Sequence, residues 1–184
     1  MSRQLRISAL VLFVVGLLAL APGASAQDYY NFTVFGGAGF GGSLDADPGD
    51  GVDHPSWQIG AAMVTDLRTL VGVRYGQIGF DSAEPLDTLF DADLSYLTLA
   101  GEYKFDQTYY DSGIYLGIGG YRLEGVDAGG AERDDTSFGL VVGVTGEFPI
   151  TRRFAVLVEF TGNYTDLDAA QFFVTGHGGV SVHF

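Results

Sequence analysis

The chain has 184 residues, with 23 acidic residues against nine lysines and arginines, and it contains no cysteine. This length suits one domain. The absence of cysteine excludes disulfides, thiolate metal sites and a catalytic thiol. With 28 glycines, 14 phenylalanines and ten tyrosines, the composition is typical of a strand-rich protein.

The start of the chain has the three parts of a secretory signal peptide. Two arginines precede an apolar run over residues 7–20, and residues 24–26 form a small-residue cleavage site. A membrane anchor is the alternative, but the run is short and no stop-transfer charges follow it. We therefore predict a signal peptide over residues 1–26 and one domain over residues 27–184. Without the two signal-peptide arginines its net charge is 7 − 23 = −16, which disfavours binding to nucleic acid.

Apolar and polar side chains alternate with a period of two through this domain, and turn signals interrupt the pattern, which indicates strands. We predict eight strands, in chain order at about Tyr29–Phe40, Trp57–Val64, Leu70–Phe80, Leu94–Phe105, Gly113–Leu123, Ser137–Phe148, Phe154–Tyr164 and Gln171–Phe184. The connections after the odd-numbered strands span residues 42–56, 81–93, 124–136 and 165–170, and most of them are longer than those after the even-numbered strands, which span residues 65–69, 106–112 and 149–153. Long loops on one rim and short periplasmic turns on the other are typical of bacterial outer-membrane barrels.

Each predicted strand has one apolar and one polar face, which suits two kinds of barrel. A soluble lipocalin-like barrel buries the apolar face, whereas a membrane barrel turns it outward. Most of the strands have about ten to twelve residues, close to the length that a tilted membrane strand needs, and the glycine-rich polar face fits a narrow interior. Aromatic residues also cluster near the strand ends, as expected at two membrane interfaces. These belt residues are Trp57, Tyr103, Phe105, Phe138, Phe148, Phe154, Tyr164 and Phe172.

We therefore predict an all-β fold, an eight-stranded antiparallel up-and-down transmembrane β-barrel with a polar, filled interior. Eight strands leave an interior just large enough for side chains. The first and eighth strands should pair, because an open sheet edge in hydrocarbon would leave backbone groups without hydrogen bonds.

The segments Gly113–Tyr121 and Phe138–Phe148 resemble the small outer-membrane β-barrel domain family, which includes OmpX/Ail-like proteins and the membrane domain of OmpA-like proteins. In that family, a final Phe with apolar residues at alternate positions before it is read by the barrel-insertion machinery. The residues Val180, Val182 and Phe184 match that insertion signal. The resemblance implies an outer-membrane location. The partners we expect are outer-membrane lipids, lipopolysaccharide and the insertion machinery, and we expect a monomer.

The polar face carries a cluster of charged and titratable side chains that we expect to lie inside the barrel. Its members are Arg74, Glu102, Lys104, Glu147, Glu159 and His177. A buried lone charge is unfavourable, so these groups should be paired. We predict that Arg74 pairs with Glu102 or Glu159, that Lys104 pairs with Glu147, and that His177 bonds to Glu159. An ion path or gate is the functional interpretation, and we favour a salt-bridged plug because eight strands leave no open channel.

A hydrolase-like triad is the catalytic alternative. His177 and Ser181 share a face, and Glu159 is expected on the adjacent strand. Four residues along a strand span about 13 Å, so His177 and Ser181 cannot form a hydrogen bond. We therefore expect no catalytic residue, cofactor or metal site, and we expect His183 near the periplasmic rim.

The four longer connections are strongly acidic. They hold Asp45, Asp47, Asp50, Asp53, Asp81, Glu84, Asp87, Asp91, Asp93, Glu124, Asp127, Glu132, Asp134, Asp135, Asp166 and Asp168. A solvated rim, divalent-cation bridging to lipopolysaccharide phosphates and binding of a basic host or surface partner all remain open. The spacing over residues 45–53 does not match a calcium-binding loop.

We predict a non-catalytic integral outer-membrane protein of the cell envelope that supports envelope structure or surface interaction through these loops. The alternatives are a narrow porin-like solute conductor, a lipid-modifying outer-membrane enzyme and a soluble lipocalin-like binding barrel.

Overall fold

The computed structural model describes residues 31–46, 51–66, 68–80, 86–106 and 109–184. The predicted signal peptide and the predicted start of the first strand at Tyr29 lie outside these residues. The strands are β1 (Phe32–Ser43), β2 (Gly51–Asp66), β3 (Thr69–Gly79), β4 (Leu89–Asp106), β5 (Asp111–Asp127), β6 (Glu132–Pro149), β7 (Phe154–Thr165) and β8 (Phe172–His183). No helix in the described ranges is long and apolar enough to cross a membrane.

Each strand pairs with the next, and β1 pairs antiparallel with β8, so the sheet closes into a barrel. The predicted eight-stranded antiparallel barrel and its closing pair are confirmed. Following the paired residues once around the barrel from Leu94 on β4 returns to β4 at Lys104, a stagger of 104 − 94 = 10 residues. Strand number and stagger together set the tilt and the width of a barrel, and eight strands enclose a space that side chains can fill.

Several strands extend further than predicted on the side of the long connections. The strands β4, β5 and β6 have 18, 17 and 18 residues, and the β5–β6 ladder continues to the pair Val126 and Glu132. Most of the connection predicted over residues 124–136 is therefore strand. The prediction was wrong because apolar alternation stops at the membrane surface, whereas backbone pairing continues between polar residues in water.

The outward face of the barrel is apolar. Leu97, Leu116 and Ile118 are 59%, 66% and 61% exposed in the isolated barrel, and their neighbours on adjacent strands face the same way. A continuous apolar surface of this kind needs contact with hydrocarbon. This orientation matches the predicted membrane barrel. It excludes the soluble lipocalin-like alternative, which requires the apolar face to point into the barrel.

The predicted belt aromatics lie on outward-facing strand positions, where Trp57 is half-buried and the other seven are exposed. Several of them pair with neighbouring rings. The ring centroids of Tyr103 and Phe105 are 5.0 Å apart, and those of Tyr164 and Phe172 are 4.9 Å apart. Their role as interface anchors stays a prediction.

Inward-facing glycines make room for large rings inside the barrel. A Cβ atom at Gly143 would overlap the phenol ring of Tyr115, and one at Gly76 would overlap that of Tyr96. Packing therefore explains the glycines at these positions, because the narrow interior accommodates a tyrosine only where its neighbour has no side chain.

We predict that Gly143→Leu lowers the free energy of unfolding by about 1–3 kcal/mol, because it overpacks the interior. The matched control is Gly120→Leu, since an outward Cβ at Gly120 meets nothing within 4 Å. Urea unfolding of the barrel in lipid vesicles, followed by fluorescence of the single tryptophan, measures both. Equal losses of unfolding free energy for the two variants would show that interior packing at Gly143 does not limit the stability of the barrel.

Candidate functional site

The barrel interior contains apolar clusters as well as polar groups. The cluster nearest the long connections, which we call the upper apolar plug, consists of Ala46, Ile78, Phe80, Leu86, Ala92, Leu94, Tyr96, Tyr121, Leu123, Leu167, Ala170 and Phe173. A smaller cluster consists of Phe35, Ala62, Leu70 and Leu157. The prediction of a polar interior is therefore wrong for these regions. Apolar residues also occupy inward positions of the strands, where they pack against each other and against residues of the connections.

Arg74, on β3, is the centre of the polar part of the interior. Its Nη2 donates to Oε2 of Glu102 at 3.2 Å, and its Nε donates to Oε2 of Glu159 at 3.3 Å. The guanidinium also lies over the ring of Tyr115, 3.9 Å from its centroid. Only 3% of Arg74 is exposed. The two pairings predicted as alternatives for Arg74 are thus present together.

Glu159, on β7, is fully buried and is held by several donors besides Arg74. Its Oε1 accepts hydrogen bonds from Nε2 of Gln58 at 2.8 Å and from Oη of Tyr115 at 2.8 Å. Such donors stabilise a buried carboxylate in its charged form. The sequence interpretation missed Gln58 and Tyr115, although each lies at an inward-facing position of its strand and the alternation pattern contained that signal.

A second ion pair joins the first through Glu102. Lys104 Nζ contacts Glu147, the predicted partner, and lies 3.6 Å from Oε1 of Glu102. Thr145 Oγ1 donates to the same oxygen of Glu102 at 2.6 Å. We call the connected set of Arg74, Lys104, Glu102, Glu147 and Glu159 the central ion network. It links four strands, β3, β4, β6 and β7, across the interior.

His177, on β8, does not bond to Glu159 as predicted. Its Nε2 lies 2.9 Å from Oγ of Ser56, while Glu159 is already occupied by Arg74, Gln58 and Tyr115. Ser56 Oγ is also within hydrogen-bond distance of the carbonyl oxygen of Gln77, at 3.0 Å. Nδ1 of His177 has no hydrogen-bond partner among the described residues.

The Ser56–His177 pair lacks one part of an activated nucleophile. In such a site a third group orients the imidazole through its other ring nitrogen, whereas Nδ1 of His177 has no partner among the described residues. Ser181 lies with His183 rather than with His177, its Oγ being 3.5 Å from His183 Nε2. His183 also bonds through Nδ1 to Thr33 Oγ1 at 2.9 Å, at the end of the barrel that carries the short turns. No group of three or more candidate metal ligands occurs within the described ranges.

Several acidic residues of the outer rim tie the connections together. Asp45 accepts hydrogen bonds from the backbone N–H groups of Gln171 and Phe172, and Asp135 accepts from the N–H of Asp168 at 2.8 Å. These carboxylates therefore stabilise the conformation of the connections at the rim. Four other predicted rim acids lie outside the described residues; they are Asp47, Asp50, Asp81 and Glu84.

Asp127 organises the tip of the β5–β6 hairpin. The N–H of Ala131, the Nε of Arg133 and the N–H of Gly129 donate to its carboxylate, and they hold its pKa below the usual value. Because the folded-state pKa is lowered, this contribution to stability is present at neutral pH and is lost as the pH falls through that lowered pKa.

The arginines of the rim are neutralised by neighbouring acids. Arg122 Nη2 lies 2.7 Å from Glu124 and 3.3 Å from Asp134, and Arg133 Nε lies 3.2 Å from Asp127. The remaining carboxylates therefore determine the sign of the field above the rim, which is negative.

No protein-family model and no curated protein sequence matches the chain. Solved structures do match it. Neisserial surface protein A is 19% identical, with a TM-score of 0.70, over 88% of this chain and 100% of its own. Ail, the attachment invasion locus protein of Yersinia pestis, is 16% identical, with a TM-score of 0.61, over 85% of this chain and 100% of its own.

The N-terminal β-barrel domain of Pseudomonas aeruginosa OprF is 10% identical, with a TM-score of 0.61, over 84% of this chain and 98% of its own. A further structure of Ail contains the heparin analogue sucrose octasulfate. At these identities the likeness concerns the fold. The chain thus has the eight-stranded barrel fold of small outer-membrane proteins, which the resemblance in the sequence predicted, and its apolar outer belt agrees with an outer-membrane location.

We predict that Arg74→Met lowers the free energy of unfolding by about 3–5 kcal/mol, because it leaves Glu102 and Glu159 buried without their cation. Arg122→Met is the matched control. Arg122 also contacts two acids, but its side chain is 54% exposed, so its loss should cost about 1 kcal/mol or less. Urea unfolding in vesicles measures both, and similar losses for the two arginines would contradict a stabilising role of the central ion network.

Proposed function

We propose that this protein is a closed, non-catalytic outer-membrane barrel that anchors an acidic rim at the cell surface, where it supports envelope structure or contacts a basic partner. The observation that carries the proposal is the filled interior. Side chains of the central ion network occupy the middle of the barrel, and the upper apolar plug covers it on the side of the long connections.

Solute conduction is the alternative that the filled interior disfavours. A path through the barrel would have to pass Glu159, which is 0% exposed, and then Ile78 and Phe173, which are also 0% exposed. Ions crossing such a barrier would need to separate buried ion pairs and enter an apolar layer, and both steps are unfavourable.

Lipid modification is disfavoured for a different reason. No described residue orients the imidazole of the Ser56–His177 pair through Nδ1, and its two residues are 4% and 3% exposed inside the barrel. A lipid substrate lies outside the apolar belt or at the rim, so it would not reach this pair.

The charge of the rim favours cationic over anionic partners. Ail has been solved with a heparin analogue that carries sulfate groups, but the rim of this barrel has arginines that are already paired with acids. Like charges repel, so a polyanion should bind weakly here, whereas a basic polypeptide should associate in a salt-dependent manner.

We predict that the mature barrel gives no steady single-channel steps in planar lipid bilayers, because its interior is filled. Steps that change with Glu159→Gln but not with the rim variant Arg122→Gln would show passage through the interior. That result would contradict the closed barrel and favour the narrow porin-like solute conductor.

We further predict that the barrel in lipid nanodiscs binds polylysine and does not bind heparin. Replacing Asp53, Glu132 and Asp166 together by their amides should weaken polylysine binding on the order of tenfold at low salt, and 1 M salt should remove the difference through screening. Polylysine binding that the triple change leaves unaffected would rule out a role of rim charge.

A further inference from the structure

The turn between β6 and β7 has a well-defined backbone. The N–H groups of Ile150 and Thr151 donate to the carbonyl oxygen of Phe154 at 2.9 and 3.0 Å. Thr151 Oγ1 accepts from the N–H groups of Arg153 and Phe154 at 3.2 and 3.1 Å. Backbone and side-chain hydrogen bonds thus fix the conformation in which the turn presents its side chains.

Apolar side chains surround this turn. Phe148, Ile150 and Phe154 are 46%, 66% and 51% exposed, and the ring of Tyr110, from the neighbouring short turn, stacks on Phe148 with a centroid distance of 5.5 Å. Aromatic rings of this kind settle at the boundary between hydrocarbon and headgroups. The turn therefore lies at the depth of the lipid headgroups, directly below the apolar belt.

Two adjacent arginines, Arg152 and Arg153, are exposed on the same turn, and residues 148–154 include no acid. Arg74, Lys104, Arg122 and Arg133 each form an ion pair. Arg152 and Arg153 form none with any residue in the described part of the chain. Two guanidinium groups beside an apolar surface thus have no counter-ion among the described residues.

We infer that the β6–β7 turn is a binding site for the phosphate of an anionic phospholipid headgroup. Arginine binds phosphate with paired hydrogen bonds, and cations at the edge of an apolar surface attract anionic lipids. The exposed Phe148, Ile150 and Phe154 would contact the acyl chains of the same lipid. The ligand is therefore an amphiphile with a negatively charged head, and phosphatidylglycerol has this chemistry.

The assignment of this lipid to one leaflet rests on the proposed function, which places the short turns at the periplasmic side of the membrane. The site complements the acidic rim at the opposite end of the barrel. The two ends would then differ in the sign of the charge that they present to their surroundings.

Native mass spectrometry of the mature barrel in mixed micelles tests the site, with phosphatidylglycerol and phosphatidylcholine of identical acyl chains as probes. Each arginine near a lipid surface should favour the anionic lipid about fivefold, so the wild type should retain phosphatidylglycerol in preference by roughly 30-fold. The double variant Arg152→Gln/Arg153→Gln should lose this preference. Arg122→Gln, which removes a paired arginine at the other rim, should keep it.

Two outcomes would overturn the inference: a wild type without preference, or a double variant that retains it. A gel shift between unboiled and boiled samples shows that each variant is folded. Orientation is tested separately with single cysteines, since the chain has no other thiol. A membrane-impermeant maleimide should label Glu132→Cys but not Arg152→Cys on intact cells. The opposite labelling would contradict the orientation in the proposed function. It would not affect the conclusion drawn from the lipid preference.

Discussion

A polypeptide that crosses a bilayer finds no water in the hydrocarbon to hydrogen-bond its N–H and C=O groups. A sheet can meet this constraint only by closing on itself, and here β1 pairs with β8 over ten residue pairs, from Thr33 with His183 to Gly42 with Val174. Closure then sets the rest of the structure. Eight strands with a stagger of ten residues enclose a narrow space, and alternate side chains of every strand must share it.

That narrow space explains both the glycines and the ion network. Tyr115 lies across the interior because Gly143 has no side chain, and its hydroxyl reaches Glu159. Buried charges are tolerated only with close partners, so Arg74 is enclosed by two carboxylates and an aromatic ring. The upper apolar plug fills the remaining part of the interior toward the long connections. A barrel filled in this way is anchored in the membrane and displays the connections at its two ends, which is the basis of the proposed function.

The two ends of the barrel differ in chemistry. At one end the strands β4 to β6 continue beyond the apolar belt, and carboxylates such as Asp45, Asp127 and Asp135 hold the connections through backbone N–H groups. At the other end a short, hydrogen-bonded turn presents Arg152 and Arg153 beside exposed apolar side chains. The two ends of the barrel therefore carry side chains of opposite charge, which is the basis of the different partners proposed for them.

The period-two alternation by itself determined the eight strands and their two faces, because a barrel strand exposes alternate side chains to lipid and to the interior. The strand lengths, the glycine-rich polar face and the aromatic residues near the strand ends then gave the direction of the apolar faces and the inward position of the charged residues. The sequence also predicted Glu102 or Glu159 as the partner of Arg74 and Glu147 as the partner of Lys104, because inward-facing opposite charges should pair. The length of the strands above the membrane was not predictable from apolar alternation, since polar residues such as Glu132 can continue a ladder in water.

Only the tertiary structure decided which inward side chains meet across the barrel. The stagger of the strands places Ser56 of β2 beside His177 of β8, and Gln58 and Tyr115 beside Glu159. Residues that far apart along the chain come together only when the register of every intervening strand pair is known. For the same reason the upper apolar plug was not foreseen. Its strand residues alternate correctly within their own strands, its other members, such as Leu86 and Leu167, lie in the connections, and the two sets become one cluster only in the closed barrel.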